Sequence, residues 1–420
     1  VISFSKPIAS GQQFQRRVQG IDVLRGLCIV AVVLHHFNLR IHFKDSAFGM
    51  RIGPAANRVL FWDGYYGVRV FFVLSGFLIA TWSLKRWGSL KEIDRRQFYV
   101  MRFARIVPCL VGLLLILAIC DRTDVPRFVV NTQHTSLWRA LVAALTFHVN
   151  WLEARTGYLP GAWDILWSLS VEEVFYIFFP LLCTLLRKPM LITGALLCFV
   201  AMGPYTRVHT QNELWTDYGY LQCMDGIALG CLAAMAAETL TARMRLSGTR
   251  LNNAANRIML GCGIALCLLI TVFRGTSARI GFYKIGLDVT VLAIGTALLA
   301  IALQLRFDHR NAGKDASEEI QADEASRRSN LSIAARIRQI LWNATAWLRW
   351  FGRNSYEVYL THMLVVWPMV GLFAYFHQNI NAAPLWFLAT TALTGLAGFA
   401  VARFYSEPVN QKLRRKLVRL

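Results

Sequence analysis

Trp167-Ser168-Leu169-Ser170-Val171-Glu172-Glu173-Val174-Phe175-Tyr176 forms the centre of a stretch, 163–186, whose remaining residues are mostly apolar. A helix of about 20 apolar residues crosses the roughly 30 Å of bilayer hydrocarbon. Two adjacent carboxyls at the middle of such a helix are costly against lipid. They belong inside a bundle, and a functional role is their default reading. Ser168, Glu172 and Tyr176 recur at helical spacing and make one polar stripe.

Working outward, similar apolar runs lie at 22–43, 65–84, 103–120, 190–206, 219–238, 256–273, 284–305, 351–378 and 383–403. The expected fold is all-α, a polytopic membrane bundle of about ten transmembrane helices. Composition agrees. The 420 residues are 55% hydrophobic, with a mean hydropathy of +0.42, too much apolar surface for one soluble core. The net charge of +21 sits between the apolar runs, which fits membrane topology and not nucleic-acid binding. The nine cysteines fall in or beside apolar runs without metal-ligand spacing, and read as packing residues. No metal site is expected.

Orientation follows from Lys and Arg. With the N-terminus inside, cytoplasmic segments carry about 27 basic residues against about 11 in the opposite loops. Both termini are then cytoplasmic. The segment 137–151 carries Arg139 and His148 and is too short to span, so it reads as a loop, with a re-entrant form as the alternative. Counting it as a span would place the basic loop 306–350 outside. The expected organisation is a cytoplasmic segment 1–21, a membrane domain 22–410 and a basic tail 411–420. Within the loop 306–350, residues 306–330 read as a polar linker. Residues 331–350 space Ile333, Ile337, Ile340, Leu341 and Leu348 as an amphipathic helix on the inner surface. No cleavable leader is expected, because residues 1–20 are polar and basic and the first apolar run lacks a small-residue cleavage site.

Candidate chemistry lies where polar groups enter the spans. The first holds Arg25, His35 and His36. Arg25 and His36 are three turns apart on one face, about 16 Å along the axis. A carboxylate such as Glu172, meeting His36, would hold its tautomer and stabilise an imidazolium. Glu173 and Tyr176 accompany Glu172. Arg69 and Ser75 lie in the second span, where Ser75-Gly76 suits close helix packing and lacks a nucleophile-elbow context. Arg102 and Arg105 open the third span and could clamp phosphates. Asp225 lies in the sixth; Tyr359 and His362 share a face of the ninth with Ser355.

These residues form a familiar series. Arg25-Gly26 through His35-His36-Phe37 is similar to the Arg-to-His signature of the acyltransferase type 3 family, integral membrane O-acyltransferases. Phe71-Phe72-Val73-Leu74-Ser75-Gly76-Phe77-Leu78-Ile79 resembles that family's second-helix motif. Arg102, Arg105, Ile106 and Pro108 resemble its basic motif. Trp167 through Tyr176, Asp225 with Gly230, and Ser355-Tyr356 through Tyr359-Leu360 and His362 continue the series in order. Met101 departs from it, standing where an arginine commonly opens the basic motif. The chain also runs only a little beyond Glu407-Pro408, without the soluble esterase-like domain that some members carry, so it is expected to act alone or with a separate partner protein.

The resemblance implies a ten-helix domain in the bacterial inner membrane that moves an acyl group, usually acetyl from acetyl-CoA, to a hydroxyl of a carbohydrate or lipid-linked glycan. It implies acyl-CoA as donor substrate and no bound cofactor. Arg25, Arg102 and Arg105 would face the donor phosphates. His36 would be general base or transient acyl carrier, supported by Glu172. His35, Arg69, Ser75, Glu173, Tyr176, Asp225, Tyr359 and His362 are candidates for lining the site. The rival readings are a transporter or flippase for a glycan or lipid-linked precursor, relaying protons through Glu and His, and a noncatalytic scaffold.

Overall fold

The computed structural model describes residues 18–130, 133–247, 252–318, 342–377 and 379–417. Among the described residues, ten helical segments are long and apolar enough to cross a membrane. Their main helices are α1 (Gln19–Asn38), α2 (Tyr65–Trp87), α3 (Arg95–Arg122), α4 (Leu166–Leu186), α5 (Pro189–His209), α6 (Tyr220–Ser247), α7 (Asn253–Thr271), α8 (Asp288–Glu318), α9 (Ser355–Tyr375) and α10 (Ala383–Val401). Each falls on an apolar run read from the sequence. The chain is a multi-pass membrane protein. Large apolar side chains such as Leu115, Ile119, Leu185 and Met190 face outward and exposed, as lipid contact requires.

Without a hydrophobic drive between helices in lipid, close crossings depend on small residues. A Cβ on Gly76 would meet the Ile227 carbonyl, and one on Gly230 would meet the Val73 carbonyl, so α2 and α6 cross backbone to backbone. Gly76 thus serves the packing expected of the Ser75-Gly76 pair.

The segment 137–151 forms two short helices, Leu137–Leu145 and Val149–Thr156, and neither is long enough to span. Of the amphipathic segment expected over 331–350, residues 331–341 lie outside the described residues. The described end packs against α1. The helix Ala346–Arg353 buries Leu348 and Phe351, and it crosses α1 where Gly26 meets the Leu348 carbonyl and Gly352 meets that of Asp22. Two glycines facing opposite backbones allow this docking.

Gly230→Val should lower the thermal stability of the detergent-solubilised protein by about 1–3 kcal/mol, the usual effect of overpacking. Gly194→Val, which meets open space, should leave the melting curve close to that of the parent. Equal melting of the two variants would refute the α2–α6 crossing.

Candidate active site

Two adjoining cavities occupy one half of the bundle. The outer one spans about 1420 Å³ of space continuous with solvent and opens among the start of α1, the end of α2, the start of α3 and the terminal helix Glu407–Leu417. Arg25, Arg102, Arg105 and Arg414 all line it. The inner one encloses about 510 Å³ and is lined by Ser75, Ser168, Glu172, Ser355 and Tyr359. Arg25, Phe71, Ser75, Leu169, Glu172 and Tyr356 border both, so one leads into the other.

At this junction Ser75 Oγ donates to Glu172 Oε1 at 2.9 Å. The serine therefore holds the carboxylate, a role its sequence context did not suggest. Glu173 borders the outer cavity, and its buried Oε1 has no hydrogen-bond partner. The Arg102 guanidinium lies 4.0 Å over the Tyr176 ring, and its charge reaches both Glu172 and Glu173. Arg105 lies 5.8 Å over the ring of Tyr356, whose hydroxyl donates to the Ile106 carbonyl. Four guanidiniums gathered from three distant parts of the chain give this cavity a cationic lining. Arg414 was read from sequence only as a basic tail residue; its place at the cavity depends on the terminal helix folding back against α3.

His36 lies deeper. Its Nδ1 is 2.9 Å from the Val32 carbonyl, which fixes the proton on Nδ1 and leaves Nε2 as the basic nitrogen. Its ring meets His362 edge-on at 4.9 Å and His35 at 5.6 Å. His362 Nδ1 is bound to the Tyr359 carbonyl at 2.5 Å, and its buried Nε2 has no partner. The Tyr359 hydroxyl is 2.7 Å from Ser168 Oγ, on the wall of the inner cavity. The expected contact between His36 and Glu172 is not formed. The glutamate takes its hydrogen bond from Ser75, and the imidazole is oriented by a backbone carbonyl and by His362. Arg25 and His36 share a helix face, but only Arg25 borders the cavities.

Two further candidates lie elsewhere. Asp225 pairs with Arg207 at 2.8 Å and accepts from Thr290 Oγ1 at 2.6 Å, which ties α6 to α5 and α8. Arg69 donates to the Tyr65 hydroxyl, to Cys223 Sγ and to the Asp217 carbonyl, and it lies 5.9 Å over the Trp167 ring. Among the described residues no three His, Cys, Asp or Glu side chains converge on a metal position.

A family model described as an acyltransferase domain matches residues 18–403. The chain belongs to the acyltransferase type 3 family. This acyltransferase-family chain is similar to the peptidoglycan O-acetyltransferase OatA of Listeria monocytogenes, 28% identical over 173 residues, 40% of this chain and 24% of that protein. It is similar also to the O-acetyltransferase OatA of Staphylococcus aureus, 24% identical over 234 residues, 52% of this chain and 34% of that protein. The matched regions thus span about a quarter to a third of the length of those relatives. No solved structure matches.

In an acyl-transfer assay, His36→Ala should reduce turnover by about 10²–10⁴-fold. Because Ser75, and not His36, holds Glu172, the losses from His36→Ala and Glu172→Gln should multiply in the double variant. A double variant no slower than His36→Ala alone would show that the two act as one unit.

Proposed function

We propose that the protein is a membrane O-acetyltransferase that moves an acetyl group from acetyl-CoA to a hydroxyl of a cell-envelope carbohydrate. The observation that carries this reading is the pair of joined cavities, with four arginines at the mouth and Glu172 at the throat. A phosphate-rich carrier with a slender acyl-bearing arm matches that shape, with its anionic end among the guanidiniums and its thioester inward. The cell-wall acceptor named for the Listeria relative supports a carbohydrate.

In this reading, the acceptor hydroxyl oxygen attacks the thioester carbonyl carbon. His36 Nε2 takes the hydroxyl proton as the C–O bond forms. The C–S bond then breaks, and the proton passes to the departing sulfur, giving an acetyl ester and free CoA. If His36 instead carries the acetyl group, Nε2 attacks the thioester carbon and expels the CoA thiolate; the acceptor oxygen then takes the acetyl group from Nε2, and its proton passes to the thiolate. Ring partners that keep Nδ1 protonated serve both routes. The excess of Lys and Arg on that side supports a cytoplasmic arginine-lined mouth and cytoplasmic termini, on the side of a cytosolic acyl-CoA donor.

Purified protein should transfer labelled acetyl from acetyl-CoA to cell-wall glycan. Arg414→Ala should raise the KM for acetyl-CoA by about tenfold, the loss of one charge-assisted contact, with the acceptor KM unchanged. Full donor affinity in that variant would remove the terminal helix from the donor site. No transfer from acetyl-CoA would sink the donor assignment.

A further inference from the structure

A third cavity, of about 1200 Å³, lies at the opposite end of α2. Tyr65 and Tyr66 line it, whereas Trp82 lines the arginine-rich cavity. Tyr65 and Trp82 are separated by about 26 Å of helix, nearly the thickness of the hydrocarbon layer. The two cavities therefore open toward opposite faces of the membrane.

Its lining has a distinct chemistry. Trp62, Tyr65, Tyr66 and Tyr283 supply aromatic surface, and Asp63, Asp217 and Asp288 supply carboxylates. Arg207, the most buried cation of the wall, is already committed to Asp225. Asp63 is 8% exposed, and its Oδ2 lacks a hydrogen-bond partner. Arg58 and Arg274 stand 3.6 and 3.7 Å from its two oxygens, near enough to balance the charge but too far to use those oxygens as acceptors. Aromatic rings beside carboxylates with acceptor capacity to spare, Asp63 Oδ2 above all, suit a molecule with apolar C–H faces and many hydroxyl donors. That describes a saccharide; Arg207, Arg274 and Lys284 in the same wall balance the three carboxylates, so the lining favours a neutral hydroxyl-rich ligand over a polyion of either sign.

The wall of this cavity also touches the histidines. Trp62 and Asp63 follow Phe61, whose carbonyl is 3.3 Å from His35 Nδ1. A Cβ on Gly64 would strike the Ala31 carbonyl and His35, so this turn lies directly on α1. His35 then adjoins His36, and His36 adjoins His362, which leads through Tyr359 to the inner donor cavity. The histidines stand between the two cavities.

We infer that the third cavity is a saccharide-binding site that holds the acceptor on the face opposite the donor, with its wall at Trp62–Gly64 leading to the histidines. This rests on the reading of the protein as a carbohydrate acetyltransferase, but its binding test does not need acetyl transfer. The label Lys284→Cys is placed in a full-length chain whose exposed Cys198 and Cys262 are replaced by Ser, reconstituted in nanodiscs. Its reaction with a membrane-impermeant maleimide is followed without donor. The probes are a soluble tetramer of β-1,4-linked N-acetylglucosamine and a polyprenyl-diphosphate-linked disaccharide. Slowed labelling by the soluble probe would support the site and identify a free glycan. Slowed labelling by the lipid-linked probe alone would support it and identify a lipid-borne one. Unaltered labelling with both probes overturns the inference, even if acetyl transfer is intact. Where transfer is measurable, Trp62→Ala and Tyr283→Ala should raise the acceptor KM by about tenfold with an unchanged donor KM. An unchanged acceptor KM in both variants overturns it equally.

Discussion

The buried pair of Arg207 and Asp225 sets the frame on which much of the bundle depends. In hydrocarbon a charge must be answered within the protein, and each of these answers the other at 2.8 Å with little exposure. Their remaining valences reach further. Arg207 also donates to the carbonyls of Gly286 and Gln222 and to Thr290, so one guanidinium joins α5, α6 and the entry to α8. Removing either partner would strand a charge, at a cost of about 3–5 kcal/mol. Arg207 and Gly286 of this junction also line the third cavity.

A second constraint is close approach. Where α2 crosses α6 and where Ala346–Arg353 crosses α1, glycines let backbones meet. These contacts bring the ends of helices remote in sequence to a common place. The start of α1, the end of α2 and the start of α3 border the arginine-lined cavity, while the start of α2, the end of α5 and the start of α8 border the aromatic one. The polar groups at membrane depth are consequently divided. Arg69 and Asp225 are consumed in holding helices together, whereas Glu172 and Glu173 border the cavities with few hydrogen bonds and His36 is oriented by one backbone carbonyl.

The division explains why the candidate residues behaved unequally when seen in three dimensions. A polar residue in an apolar run signals only that some partner exists. Ser168, Glu172 and Tyr176 were legible as a site stripe because their spacing is local to one helix. Asp225 looked equally functional, yet its partner Arg207 lies near the end of a different span, where a basic residue ordinarily reports topology. Trp167 sits within a motif read as part of the active site, but its indole stacks on Tyr218 at 4.1 Å and backs Arg69, a structural layer between the cavities.

The sequence by itself determined the number and position of the spans, because hydropathy over one helical length is a local quantity and the bilayer has a fixed thickness. It also determined the family motifs, the carboxyl pair and the basic ends of helices. Tertiary structure alone decided that His36 meets His362 and not Glu172, that Arg414 joins Arg25, Arg102 and Arg105, and that a second polar cavity faces the other way. Each of these joins segments far apart in the chain. Such contacts depend on helix rotation and crossing, which the small residues and the buried ion pair settle and which no periodicity within a single helix encodes.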